Sequence, residues 1–223
     1  MPICKCASCG TQQTVSIPER VNVRENPEFK AGVRDGSIFV WTCPACGKPN
    51  LVTDQAMLYH DPDARLMVYL LPPGSISARM EDSLAKQSAL ISESLGDYTL
   101  RRVDDVGTLM EKVKIFDAGL DDCAIEMCKH VTRMEMAEKG DKDILQAKMK
   151  FFRMEGADNE IVFTYPKDGS MQCVAVGFNV YEDCAGIIRR NPSVKPSEGF
   201  ARVDSGWVAS FFGSDTAALL IIN

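Results

Sequence analysis

An α+β fold is predicted by three observations. Two short cysteine loops, Cys6-Ala-Ser-Cys9-Gly10 and Cys43-Pro44-Ala45-Cys46-Gly47, bracket the first part of the chain. From residue 106 to 134 the apolar residues recur at the three-and-four spacing of helices with one buried face. From Asp158 the period falls to two, as in strands that alternate between core and solvent.

The paired loops carry the most specific chemistry. A CxxC spacing lets one tight turn aim two sulfurs at a single point about 2.3 Å away, the zinc–sulfur distance. Glycine after the second cysteine takes positive φ at little cost, and Pro44 fixes φ at the first turn residue of the second loop. Two such turns supply four thiolates. Cys6, Cys9, Cys43 and Cys46 are therefore the expected ligands of one Zn2+ per chain, in a closed tetrahedral site of structural type. The same four sulfurs would also suit a rubredoxin-type iron. Cys4 is the spare: it could stand in for Cys6, but the symmetry of the two loops favours Cys6.

Between the loops, Thr14 to Val23 alternates and reads as an extended segment broken at Pro18. Asn26-Pro27 opens a short helix with Asn26 as N-cap, and Gly36 closes it. Ile38 to Thr42 is a strand delivering Cys43; 51–61 and 66–71 supply further strands. The unit is an N-terminal zinc ribbon with a helical insertion. Its CxxCG, VNVRENPEFKAGVRDGSI, WTCPACG and MLYHD stretches resemble the CpXC family, as does LRRVDDVGTLMEKVKIFDAGLDDCAIEMCKH further on. Ala7 stands where that family usually has proline. The resemblance implies a zinc-ribbon-like domain and no particular activity.

Pro72-Pro73-Gly74-Ser75 is the strongest boundary signal. The expected organisation is a ribbon domain over 1–73, a polar connector or helix over 74–98, and an α+β domain over 99–223. In that last part, Val106, Leu109, Met110, Val113 and Phe116 share a helical face that Gly119 ends. A second helix opens at Asp121-Asp122 and ends basic, so a helical hairpin is expected. A small antiparallel sheet follows, with Asp168-Gly169 turning between EIVFTYP and MQCVAVGFN. Ala185 to Arg189 reads equally as strand or short helix. FARVD reads as a strand, and the apolar ALLII at 218–222 as a docked final strand.

The formal net charge is −6. Residues 1–75 are charge-balanced, so the whole deficit lies after them. This argues against a general nucleic-acid binder or an anionic-membrane binder. No apolar run approaches the ~18 residues of a membrane span, and no basic-then-apolar leader opens the chain. Nine cysteines, an odd number partly gathered in CxxC pairs, point to metal ligands in a reducing cytoplasm rather than to a disulfide framework.

Other candidates read as structural. Cys123 and Cys128 stand five apart, about 140° around a helix, and do not share an ion easily with His130. Cys173 and Cys184 could meet across neighbouring strands. His60 faces away from Tyr59 and Asp61 on a strand, and Asp121 and Asp122 suit a helix start better than a catalytic pair. No P-loop, GxGxxG after a strand, GxSxG or HExxH is present. The leading expectation is a cytoplasmic binding module with a protein partner, a homodimer being compatible. A nucleic-acid ribbon using Arg20, Arg24, Lys30 and Arg34 with Phe29, Phe39 and Trp41 is the alternative. An enzyme with a site between the two halves ranks below it.

Overall fold

The computed structural model describes residues 3–75 and 78–212. The ALLII stretch lies outside the described residues. The chain forms two compact units, one of residues up to Val113 with Glu198–Ala201, the other of Lys114–Ser197 with residues from Arg202 onward.

The first unit begins with a hairpin, β1 (Ile3–Lys5) and β2 (Gln12–Thr14), whose tip is the first cysteine loop. A second hairpin, β4 (Val40–Thr42) and β5 (Pro49–Leu51), carries the second loop in the same way. Between them lie β3 (Arg20–Asn22) and α1 (Glu28–Asp35). Helix α1 starts one residue later than expected, with Pro27 rather than Asn26 in the capping position and no side-chain cap. Asn22 takes over the turn instead, its side-chain oxygen accepting from the Arg24 N–H at 3.1 Å. Gly36 ends the helix in the left-handed conformation, φ 85°. A 3-10 turn over Ser37–Phe39 buries Phe39 before β4 begins.

The sheet that organises this unit has the order β3, β6 (Met57–Asp61), β7 (Leu66–Leu70), β8 (Thr99–Val103). β6 and β7 form an antiparallel pair, while β3 joins β6 and β8 joins β7 in parallel. Alternate residues Val21, Tyr59 and Val68, all fully buried, stand in register across three strands. Parallel pairing of β7 with β8 needs a crossover, and α2 (Ala78–Leu95) supplies it. The boundary expected at residue 73 therefore does not separate the units: the chain leaves the sheet there and returns to it. A single parallel bridge from Arg101 to Ala201 is what remains of the strand expected at FARVD.

Helix α3 (Val106–Asp117) opens in the first unit and ends in the second, closed by Gly119 at φ 69°. The second unit contains α4 (Asp122–Glu138) and an antiparallel sheet of order β11 (Ser170–Val176), β10 (Glu160–Lys167), β9 (Lys150–Glu155). It also holds α5 (Phe178–Arg190) and α6 (Ser205–Phe212). The hairpin at Asp168-Gly169 forms as expected, both residues having positive φ. Helix α4 packs mainly against α5 and α6, while Ile115 of α3 joins Leu120, Ala124 and Ile125 in the same buried cluster. Ile125, Cys128, Phe151, Ile161, Phe163 and Cys184 belong to one buried cluster of α4, α5 and the sheet. The ambiguous 185–189 stretch is thus helical, and Cys184 sits on a buried helix face rather than on a strand beside Cys173.

Candidate metal centre

The two cysteine loops have the same local design. In the first, the Gly10 N–H donates to the Cys6 carbonyl at 2.9 Å, and the Cys6 N–H donates to the Thr11 carbonyl at 2.8 Å. In the second, Gly47 donates to the Cys43 carbonyl at 2.9 Å and Cys43 to the Lys48 carbonyl at 3.0 Å. Gly10 and Gly47 have φ of 75° and 69°, the left-handed region that the turn demands.

The loops meet sulfur to sulfur. Cys6 Sγ lies 3.6 Å from Cys46 Sγ, and Cys9 Sγ lies 3.6 Å from Cys43 Sγ. All four sulfurs fall within 4.8 Å of one another. A regular tetrahedron with arms of about 2.3 Å has edges of about 3.8 Å, so four thiolates at this spacing fit one tetrahedral ion. The donor set is all sulfur, and four thiolates fill the shell.

Electrostatics divide the thiols. Backbone N–H donors, first that of Cys9, lower the Cys6 thiol to about 6, and the Asn50 amide adds to them. Thr11 lowers Cys9, its hydroxyl oxygen lying 3.2 Å from the sulfur. The Lys48 backbone N–H lowers Cys46, but desolvation and the neighbouring sulfurs outweigh it and leave that thiol up at about 12. A cluster that cannot ionise completely by itself is what a divalent cation completes. Cys4 stands apart: burial and the charge of Asp54 push its thiol up, and it does not join the four. The cluster includes Cys6 and not Cys4, the two residues between which the spacing alone left a choice.

Asn50 was not legible as a site residue. Its side-chain amide donates to Cys6 Sγ at 3.5 Å and to the Lys48 carbonyl at 2.9 Å, while its oxygen accepts from the Ala7 N–H at 2.9 Å. It ties one loop to the other. An asparagine four residues after a second-loop cysteine was the available signal, and it reads equally as an ordinary turn residue.

A match to the family profile described as CpXC protein spans residues 4–129, more than half the chain. The chain belongs to the CpXC family. Within this CpXC protein the match runs from the first cysteine loop to Lys129 on α4. No curated protein and no solved structure matches the chain.

The remaining candidates of the CpXC chain separate in space. Tyr59 and Asp61 share one sheet face, the Tyr59 hydroxyl donating to Asp61 Oδ2 at 3.3 Å. His60 points to the other face, where Nε2 is 3.3 Å from the Tyr98 hydroxyl and burial lowers its pKa. Asp121 caps α4, accepting from the Cys123 and Ala124 N–H groups at 2.7 and 3.0 Å. Cys123, Cys128 and His130 form no shared cluster among the described residues. The Cys184 thiol and burial together push Cys128 up. On α4 the structure also shows a stripe that sequence reasoning missed. Asp122, Glu126, Lys129 and Arg133, at helical spacing, are all buried, with Lys129 Nζ 2.5 Å from Glu126. No helix among the described residues is long and apolar enough to cross a membrane.

Proposed function

We propose that this CpXC protein is a zinc-stapled binding module whose partner is another protein. The observation that carries the proposal is the four-sulfur cluster: tetrahedral spacing with every position filled leaves no coordination site for a substrate or a nucleophilic water. Zinc, bound once per chain at Cys6, Cys9, Cys43 and Cys46, would supply cross-linking between two hairpins too short to be stable alone. The residues around it orient the ligands: the Asn50 amide donates to the Cys6 sulfur, the Cys9 sulfur is hydrogen-bonded to the Thr11 hydroxyl, and the loop amides hold the turns. Nine cysteines without a disulfide suit a reducing compartment, for which we propose the cytoplasm.

The basic and aromatic set weighed for nucleic acid is largely occupied. Arg24 pairs with Asp63 at 2.6 Å and Lys30 with Asp61 at 2.8 Å. Phe39 and Trp41 are buried, so they offer no stacking platform.

Native mass spectrometry and elemental analysis of protein purified without chelator test the reading. One zinc per chain, lost in Cys43→Ser together with the folded signal of the first unit, is the expected result. A chain that folds with intact thiols and no metal overturns it, and iron in place of zinc corrects the ion. Turnover of a substrate that survives Cys43→Ser would remove the binding-module reading.

A further inference from the structure

The three-stranded sheet of the second unit has two edges, and they are built differently. β9 carries Lys150, Arg153 and Glu155 within six residues, and its pairing with β10 is interrupted by a bulge at Val162/Phe163. Charges and bulges are the ordinary protection of a sheet edge against another chain. β11, at the opposite edge, reads SMQCVAV: seven residues without a charge, a proline or a glycine, paired without interruption to β10. Its other side has no strand partner among the described residues. Val174 and Val176 pack against the core of the unit. Met171, Cys173 and Ala175 stand on the opposite face, and Met171 is 63 % exposed. Gln172 is turned back onto the Ser170 hydroxyl at 2.8 Å and adds no outward charge.

We propose that two copies of this chain associate through the outer edges of β11, which have no strand partner among the described residues, antiparallel and centred on Cys173. Charge selects this occupant. Pairing β11 with a neighbour's β9 would draw Lys150, Arg153 and Glu155 into contact with an uncharged strand and would leave a free edge at each end, an open assembly. Pairing β11 with β11 brings no charge to the seam and closes on itself. With Cys173 on the two-fold axis, each Met171 faces the partner's Ala175, a large side chain against a small one. The two Cys173 residues then face each other with Cα atoms about 4.5–5.5 Å apart, within the span of a disulfide. The association itself uses backbone hydrogen bonds and needs no disulfide. It does not depend on the metal reading.

The experiment uses the full chain. Light scattering should find a particle of twice the 24.6 kDa chain mass. Mild oxidation with diamide should cross-link it through a Cys173–Cys173 peptide, absent in Cys173→Ser. The double variant Met171→Glu, Ala175→Glu sets glutamates opposite each other and should weaken the dimer at least about tenfold. Met171→Lys with Ala175→Glu sets opposite charges face to face and should keep it. A monomeric unaltered chain, a dimer indifferent to the two glutamates, or a cross-link through any other cysteine overturns the proposal. Cross-linking of the unaltered chain decides the matter even if the glutamate variant does not fold.

Discussion

Asn50, on the second cysteine hairpin, holds Cys6, on the first: its amide nitrogen is 3.5 Å from Cys6 Sγ and its oxygen receives the Ala7 N–H at 2.9 Å. The donor to sulfur helps lower the Cys6 thiol, and the acceptor fixes the turn that aims it. Hydrogen-bond partners that orient a metal-ligating side chain are worth about 10- to 100-fold in metal affinity. Asn50→Ala should weaken zinc binding by that order while leaving one ion per chain at saturation. A competition titration against a chromophoric chelator reads it, and affinity equal to the unaltered chain's would show that Asn50 only braces the hairpins.

Metal binding should release protons, and the sign follows from the thiols. Cys6, lowered to about 6, is mostly thiolate at pH 7, whereas Cys46, raised to about 12, is protonated until a cation displaces its proton. Zinc affinity should therefore rise with pH through neutrality, about tenfold per pH unit for each proton displaced. Chelator competition at pH 6, 7 and 8 measures the slope, and a flat profile would mean that the four thiols are not the ligands. Cys4→Ser should leave affinity and slope unchanged.

How much was legible depended on how local each cause is. The loops were readable because a turn, its glycine and its two sulfurs lie within five residues. Helices α3 and α4 were readable from their apolar period, and the β10–β11 hairpin from Asp168-Gly169. The return of β8 to β7 was not, because eighteen helical residues of α2 separate partners whose pairing depends on the sheet. Ala201 joins the first unit from a distant part of the chain through one bridge, which leaves no periodic trace. Asp122, Lys129 and Arg133 of α4 read from the sequence as helix-end charges, and Glu126 carries no signal, because spacing alone does not say which face of a helix meets the core.

Gly36 should be intolerant of a side chain for two separable reasons. Its φ of 85° is strained for any other residue, and a Cβ there would lie 2.8 Å from Met110 Sδ. Gly36→Ala should cost about 1–3 kcal/mol. Pairing it with Met110→Ala removes the contact but not the backbone strain, so the combined loss should be smaller than the sum of the two single losses. Urea unfolding of the four chains measures this, and strict additivity would remove the steric part of the account.

Asp61 should set the acid limit of the first unit. It is 1 % exposed, accepts Lys30 Nζ at 2.8 Å, and receives the Asp63 and Ala64 N–H groups at 3.1 Å, closing the β6–β7 turn. Desolvation alone would raise its pKa, but the Lys30 hydrogen bond and the turn amides outweigh it, and the pKa is lowered. A carboxyl whose folded pKa lies below its unfolded value, about 3.9, contributes stability that is present above that value and lost as pH falls through the folded one. Asp61→Asn keeps the shape but loses the charge, so it should cost about 2–4 kcal/mol at pH 7 and progressively less as pH falls below about 4. Lys30→Met should cost less, about 1 kcal/mol, because the Lys30 side chain is 36 % exposed and water screens its share of the pair. Denaturant curves for the three proteins at pH 7 and pH 3 check both statements. An Asp61→Asn penalty that is the same at both pH values would show that the carboxylate charge contributes nothing and that the turn is held by geometry alone.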